Sequence, residues 1–293
     1  MKIGFIGFGE AAYYLALGLK GEGLTGIRAC DAMQDHPVRG SLVKDRAAEA
    51  GVELMESNQA IAEWADMICN ITPAQFAKAA LESVMDLLGP DKLFVDLSSS
   101  TPKNKAEMAE LVKKTGAKYT DATMLGSLPA SKHKVQIIAC GPGAAEFKEI
   151  MDPWGMNIEY NPGAPGTASA IKLVRSIYMK GIEALLLEML QAADAYGVVD
   201  DVVPSICASM DKDPFEVILN RLVTGMAIHC VRRGSEVQGS VEMLQEAGID
   251  SCMSESTVKR HMDLAKYGFA DKYAGKKPVW QDIINDIKSG KEA

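Results

Sequence analysis

The sequence predicts a doubly wound α/β domain followed by an all-α domain, the second begun by one long interdomain helix. Two patterns predict it. Short apolar runs without alternation, the mark of strands buried on both faces, recur with helix-patterned stretches between them as far as Pro162. Beyond Pro162 every segment is helical in pattern, so the boundary is expected there, with domains at 1–162 and 163–293.

Composition narrows the class of partner. Of 293 residues, 47% are hydrophobic and 24% charged, which is ordinary for a soluble globular protein with a sizeable core. The formal net charge of -8 gives no electrostatic reason to expect nucleic acid or an acidic membrane surface, so small molecules are the expected partners. Glu10 and the glycines at 4, 7 and 9 break the apolar start of the chain, which argues against a signal peptide and for a cytoplasmic location. The six cysteines are scattered, with no C-x-x-C and no paired histidine spacing, and are expected to be reduced, mostly buried thiols; no metal site is expected.

The first strand, at 2–7, runs into Gly7-x-Gly9-x-x-Ala12 and then a helix over 11–19. Strand, glycine turn and helix start together make a dinucleotide site of Rossmann type: Gly7 for the tight turn, Gly9 for close phosphate approach, Ala12 for packing. Free N–H groups at the helix start, around Phe8, Glu10 and Ala11, face the pyrophosphate. The next strand, at 26–30, ends in Asp31, 22 residues after Gly9, where a carboxylate binds the ribose hydroxyls of NAD and repels the 2′-phosphate of NADP. NAD is therefore the expected cofactor, with NADP left open because His36 and Arg39 lie in the following loop.

Helix and strand then alternate: helix 42–50, strand 52–54, helix 60–64, strand 66–71. Thr72 and Pro73 break the chain after Ile71, at the carboxyl edge where open α/β sheets bind ligands. A helix at 74–88 and a strand at 92–96 lead to a serine-rich turn, Ser98 to Thr101, which is either a helix cap or part of the site; Pro102 opens the next helix. A strand at 118–124, an irregular loop at 125–129, a strand at 135–139, a helix to 151 and a strand at 157–160 complete the first domain. The long helix then opens within 163–176 and runs to about 196, roughly 45 Å at 1.5 Å per residue. Lys172 and Ser176 share one face of it. Further helices are expected at 200–210, 213–222, 227–247, 254–267 and 279–287.

Four stretches resemble the β-hydroxyacid dehydrogenase superfamily, which includes 3-hydroxyisobutyrate and 6-phosphogluconate dehydrogenases. They are GFIGFG at 4–9, VDLSSSTP at 95–102 beside the family's V-D-x-S-T-x-x-P, Gly163-x-x-Gly166 with Lys172 beside G-x-x-G-x-x-x-x-x-K, and the pair HCVRR at 229–233 and KRHMDLA at 259–265. The last pair is similar to the branch with a phosphogluconate-dehydrogenase-like C-terminal domain. The resemblance implies a Rossmann-type domain, a helical domain, a homodimer, and an active site between domains. It also implies that Lys172 is the acid and base on a substrate hydroxyl or carbonyl. Ser98 and Ser99 then contact the nicotinamide end or the substrate, and 71–73 line the cofactor.

Two departures bear on the substrate. The family's D-x-P-V-S-G-G is Asp121-Ala-Thr-Met-Leu-Gly126-Ser127 here, leaving Gly126 and Ser127 to hold a carboxylate. The family's asparagine four residues after the lysine is Ser176. Arg175 is an anion partner or an interhelical ion pair, and His133 and His229 are candidate substrate contacts. The expected activity is hydride transfer between NAD(H) and a small hydroxy acid, or its aldehyde or keto acid. The alternatives are a non-catalytic NAD(H)-binding regulator, and an oxidative decarboxylase or imine reductase of the same superfamily; in imine reductases the lysine is usually absent.

Overall fold

The computed structural model describes residues 1–290. Among them eight strands form one sheet: β1 (Ile3–Ile6), β2 (Ile27–Cys30), β3 (Glu53–Leu54), β4 (Met67–Asn70), β5 (Leu93–Asp96), β6 (Lys118–Leu125), β7 (Gln136–Cys140) and β8 (Asn157–Tyr160). The order is β3-β2-β1-β4-β5-β6-β7-β8. All neighbours are parallel except β6 and β7, which pair antiparallel. Chain order reverses between β1 and β4, so the carboxyl ends of these two strands flank the switch point at which such sheets bind ligands.

The strands read as unbroken apolar runs because both faces are covered. Ile3 and Phe5 pack with Leu15 and Ala16 of α1 (Glu10–Gly21) and Val43 and Ala47 of α2 (Gly40–Ala50). Ile6, on the opposite face, packs with Ile61 of α3 (Asn58–Trp64) and Leu81 of α4 (Ala74–Glu82). Met108 of α5 (Pro102–Lys113) joins that second face. Each such fully buried aliphatic or aromatic side chain is worth about 1.5–3 kcal/mol, so the two faces together hold the sheet. The short α6 (Leu128–Ser131) and α7 (Ala144–Met151) complete the strand region.

The helical region comprises α8 (Thr167–Ala195), α9 (Val199–Met210), α10 (Phe215–Ile228), α11 (Cys230–Glu246), α12 (Cys252–Asp263), α13 (Phe269–Lys272) and α14 (Trp280–Ser289). By compactness the chain divides inside α8: one unit ends at Ile177 and the second starts at Tyr178. The second unit has its own small core, in which Ala227, Phe269 and Ile283 are buried together.

Several element limits differ from those expected. α4 stops at Glu82, because Ser83 Oγ donates to Ala80 O and diverts a ladder carbonyl; a tight turn at Met85–Leu87 follows. The segment expected as a loop at 125–129 is partly regular, since antiparallel pairing of Leu125 with Gln136 prolongs β6 and α6 starts at Leu128. The expected gap between helices at 222 and 227 is absent. α10 runs through Gly225, against which the Arg233 guanidinium packs, and the break comes at His229 instead. Glycine is the residue that fits there, and its low helix propensity does not end the helix. α12 begins two residues early because buried Glu188 accepts the amides of Met253 and Ser254 at 2.8 and 2.9 Å, serving as a cap from a distant helix.

Candidate functional site

The glycine turn lies at the switch point. Gly7 has φ +89°, and a Cβ there would stand 2.9 Å from Ile71 O, so turn and neighbouring strand end touch only because glycine is present. A Cβ on Gly9 would meet nothing within 4 Å, which leaves its backbone open to a ligand. Gly9 caps α1 without a side-chain bond, and the helix ladder begins only with Tyr13 N donating to Gly9 O. The amides ahead of it, in exposed Glu10 and half-buried Ala11, belong to the anion-attracting end of a helix.

Asp31 is tied to this turn. Phe8 N donates to its Oδ2 at 2.6 Å and Met33 N to its Oδ1 at 2.7 Å, so the Phe8 amide, expected to be free for the pyrophosphate, is occupied by Asp31 instead. His36 Nδ1 accepts the amides of Val38 and Arg39 at 3.2 Å each, so His36 holds its own loop, while Arg39 is exposed. Across the switch point, buried Asn70 shapes the Ile71–Thr72–Pro73 turn: its Oδ1 accepts Thr72 Oγ1 at 2.8 Å and its Nδ2 donates to Ala77 O at 3.1 Å. Sequence reasoning missed Asn70; a polar residue ending an otherwise apolar strand was the available signal.

One register row runs along the carboxyl edge of the sheet, through Ile6, Asn70, Asp96 and Asp121. Adjacent carboxylates at Asp96 and Asp121 would repel each other. Lys105 of α5, wholly buried, lies between them, with Nζ 3.1 Å from Asp96 Oδ2, 3.4 Å from Asp121 Oδ1 and donating to Asp96 O at 2.8 Å. Tyr119 OH donates to Asp96 Oδ2 at 2.9 Å, and burial together with Asp96 pushes its pKa well above the usual value. Lys105 was also missed, yet its spacing from Met108 and Val112 places it on the buried face of α5.

Each carboxylate anchors one segment. Asp96 Oδ1 accepts Ser98 N at 3.0 Å and so fixes the serine turn. Asp121 Oδ2 accepts Gly166 N at 2.9 Å and Ser169 N at 3.2 Å, and its Oδ1 accepts Ser169 Oγ at 2.9 Å, which caps α8. Gly166 itself has φ +103°, and a Cβ would come within 2.7 Å of Pro102 O. The two anchored segments meet where Lys172 Nζ donates to Ser99 Oγ at 2.8 Å. Lys172 is half-buried, and burial, followed by the positive charge of Lys105, lowers its pKa from the ordinary lysine value. Ser98 Oγ is buried and has no hydrogen-bond partner among the described residues.

The other candidates fall in different places. Ser176 is half-buried one turn after Lys172, and Arg175 is exposed with no ion pair among the described residues. Gly126 and Ser127 are exposed at the end of β6. His229 is exposed between α10 and α11, in the second unit. His133 is buried against Gly18 of α1 with Nε2 3.3 Å from Glu22 Oε1, a packed position that accounts for it structurally. Of the cysteines, Cys30, Cys69, Cys140 and Cys230 are buried, and burial pushes the Cys69 thiol up to about 12; Cys207 and Cys252 are exposed.

The doubly wound sheet, the glycine turn at its switch point and the carboxylate at the end of β2 define a dinucleotide-binding protein of the Rossmann class. The NAD binding domain of 6-phosphogluconate dehydrogenase matches residues 2–161, and a domain of unknown function, DUF1932, matches 193–264. The chain belongs to this family of NAD-binding β-hydroxyacid dehydrogenases.

Among relatives, 2-(hydroxymethyl)glutarate dehydrogenase of Eubacterium barkeri is 27% identical over 213 residues, 70% of this chain and 68% of the relative. A conserved protein of unknown function, described as structurally similar to 3-hydroxyacid dehydrogenases, is 29% identical with a TM-score of 0.59, over 90% of this chain and 96% of its own. An imine reductase from Myxococcus stipitatus in complex with NADP+ has a TM-score of 0.73 over 92% of this chain and 96% of its own; at 15% identity it shows the shared fold alone. The protein is thus an oxidoreductase of the NAD(P)-dependent hydroxyacid dehydrogenase type.

Proposed function

We propose that the protein transfers hydride between NAD(H) and a small hydroxy acid, or the matching aldehyde or keto acid, with Lys172 as the proton carrier. The single observation behind this reading is the Lys172–Ser99 pair, a lysine of lowered proton affinity held 2.8 Å from a hydroxyl. A substrate hydroxyl meeting Lys172 Nζ gives up its proton to the free amine on oxidation and regains it from the ammonium on reduction. A bound nicotinamide supplies the site that accepts or gives the hydride. Ser98, whose buried Oγ lacks a partner among the described residues, offers a hydrogen bond to that ring or to the substrate. Gly9, Glu10 and Ala11 hold the pyrophosphate on a turn shaped by Gly7 and Phe8, whose own amides are bonded to Cys30 O and Asp31 Oδ2, and Ile71 to Pro73 border the cofactor. Asp31 favours NAD over NADP, since its carboxylate would repel a 2′-phosphate. Exposed Arg175 is available to a substrate carboxylate, alongside Ser176, Gly126 and Ser127; exposed His229, beside Arg232, is a further candidate contact. Residues 1–162 act as the dinucleotide domain and 163–293 as the substrate and dimer domain.

A homodimer belongs to the same reading. The isolated chain exposes large apolar side chains along its helices, Leu187 at 62%, Phe215 at 51% and Val217 at 51% among them. A cavity of about 320 Å³ in the second unit is lined by Leu185, Met189, Ala192, Val202 and Leu244. Apolar surface on this scale suits a second copy.

Lys172→Ala is expected to lose the great majority of turnover, on the order of the 10²–10⁴-fold that general acid–base groups contribute, while NADH binding persists. The assay is absorbance of NADH over a panel of hydroxy acids, run with NAD and NADP side by side. Undiminished turnover by this variant removes Lys172 from the chemistry. Binding without turnover on any substrate favours the regulatory alternative.

A further inference from the structure

We propose that Lys105 is a positioning residue for Lys172: it locks the Ser99 turn and the start of α8 into one frame and fixes a positive charge beside them. The proposal rests on the reading of Lys172 as proton carrier. Its basis is the economy of the buried cluster. The ammonium of Lys105 donates to Asp96 O and is ion-paired with both Asp96 Oδ2 and Asp121 Oδ1. The remaining carboxylate valences go to Ser98 N and Tyr119 OH on one side and to Gly166 N, Ser169 N and Ser169 Oγ on the other. Cys140 Sγ also lies 3.4 Å from Asp121 Oδ2.

Stability alone does not call for this arrangement, because apolar residues of similar volume commonly replace buried ion clusters without loss. What the cluster adds is alignment of two separate segments. One carries Ser99, the other carries Lys172 six residues beyond the capped Gly166, and their side chains meet at 2.8 Å. The charges that face Lys172 are few. From α5 Lys105 acts on it and lowers its proton affinity; from the β5 turn Ser99 contacts it; Asp96, Asp121 and Tyr119, from β5 and β6, are turned to Lys105. Among the described residues no carboxylate pairs with Lys172, so the lysine answers to burial and to Lys105.

The test is a titration of Lys172 in the cofactor-free protein, by NMR of ¹³C-methylated lysines assigned with Lys172→Arg, comparing wild type with Lys105→Met. Loss of the fixed charge is expected to move the Lys172 titration to higher pH and to displace the kcat profile for oxidation in the same direction, with recovery at alkaline pH. If Lys105→Met does not fold, Lys105→Gln, which removes the same positive charge while keeping a donor for Asp96 O, is read in the same way. A titration that stays in place, in whichever variant folds, overturns the proposal and reduces Lys105 to a structural residue. That failure is separable from failure of the functional reading, which shows as undiminished turnover in Lys172→Ala.

Discussion

Lys172 carries the pH dependence expected of the reaction. Its folded pKa is lowered by burial and then by Lys105, so the free amine is populated at lower pH than in an ordinary lysine. Oxidation needs the free amine and should rise with pH through that pKa; reduction needs the ammonium and should fall through the same point. Rates measured in both directions across pH, on one substrate pair, check this: two profiles of the same sign would remove the lysine from the proton step. The stability sign follows as well. A lowered lysine pKa means that the unfolded chain binds more protons, so this residue contributes least to stability at low pH and more as pH rises.

At the scale of elements, the site depends on how α8 begins. Its first turn is capped by Asp121 from β6, and the preceding Gly166 reaches a positive φ of +103° against the Pro102 carbonyl. Any side chain at 166 is strained twice, by conformation and by the 2.7 Å approach to Pro102 O. Gly166→Ala is expected to destabilise the protein by about 1–3 kcal/mol, the range for a forced positive φ, and to lower kcat more than it weakens NADH binding, because α8 carries Lys172 whereas the glycine turn lies elsewhere. Denaturant unfolding and NADH titration of one preparation separate the two effects. Equal losses in both would show that α8 and the dinucleotide turn are not independent.

For the whole molecule, the exposed apolar helix surface predicts self-association. Sedimentation equilibrium should give twice the chain mass. Leu187→Asp, a change at an exposed position that costs a lone chain little, should shift the protein toward monomer. A monomeric wild type with an intact fold would refute the homodimer. No described helix is long and apolar enough to cross a membrane.

The sequence by itself determined the class: strand periodicity, the glycine turn, Asp31 and the Lys172 spacing were readable because each depends on local geometry or on a short motif. The exact helix limits after Met210 were not readable, because α10 continues through Gly225, where the Arg233 guanidinium fills the space a side chain would take, and α12 is started by Glu188 from a distant helix. The same holds for the candidate site. Ser99 and Lys172 were each visible as candidates, but their meeting was not, and the apolar spacing that buries Lys105 does not say which groups it meets. Only the tertiary structure puts Asp96 and Asp121 on adjacent strands in one register row, where their mutual repulsion and burial require a cation between them.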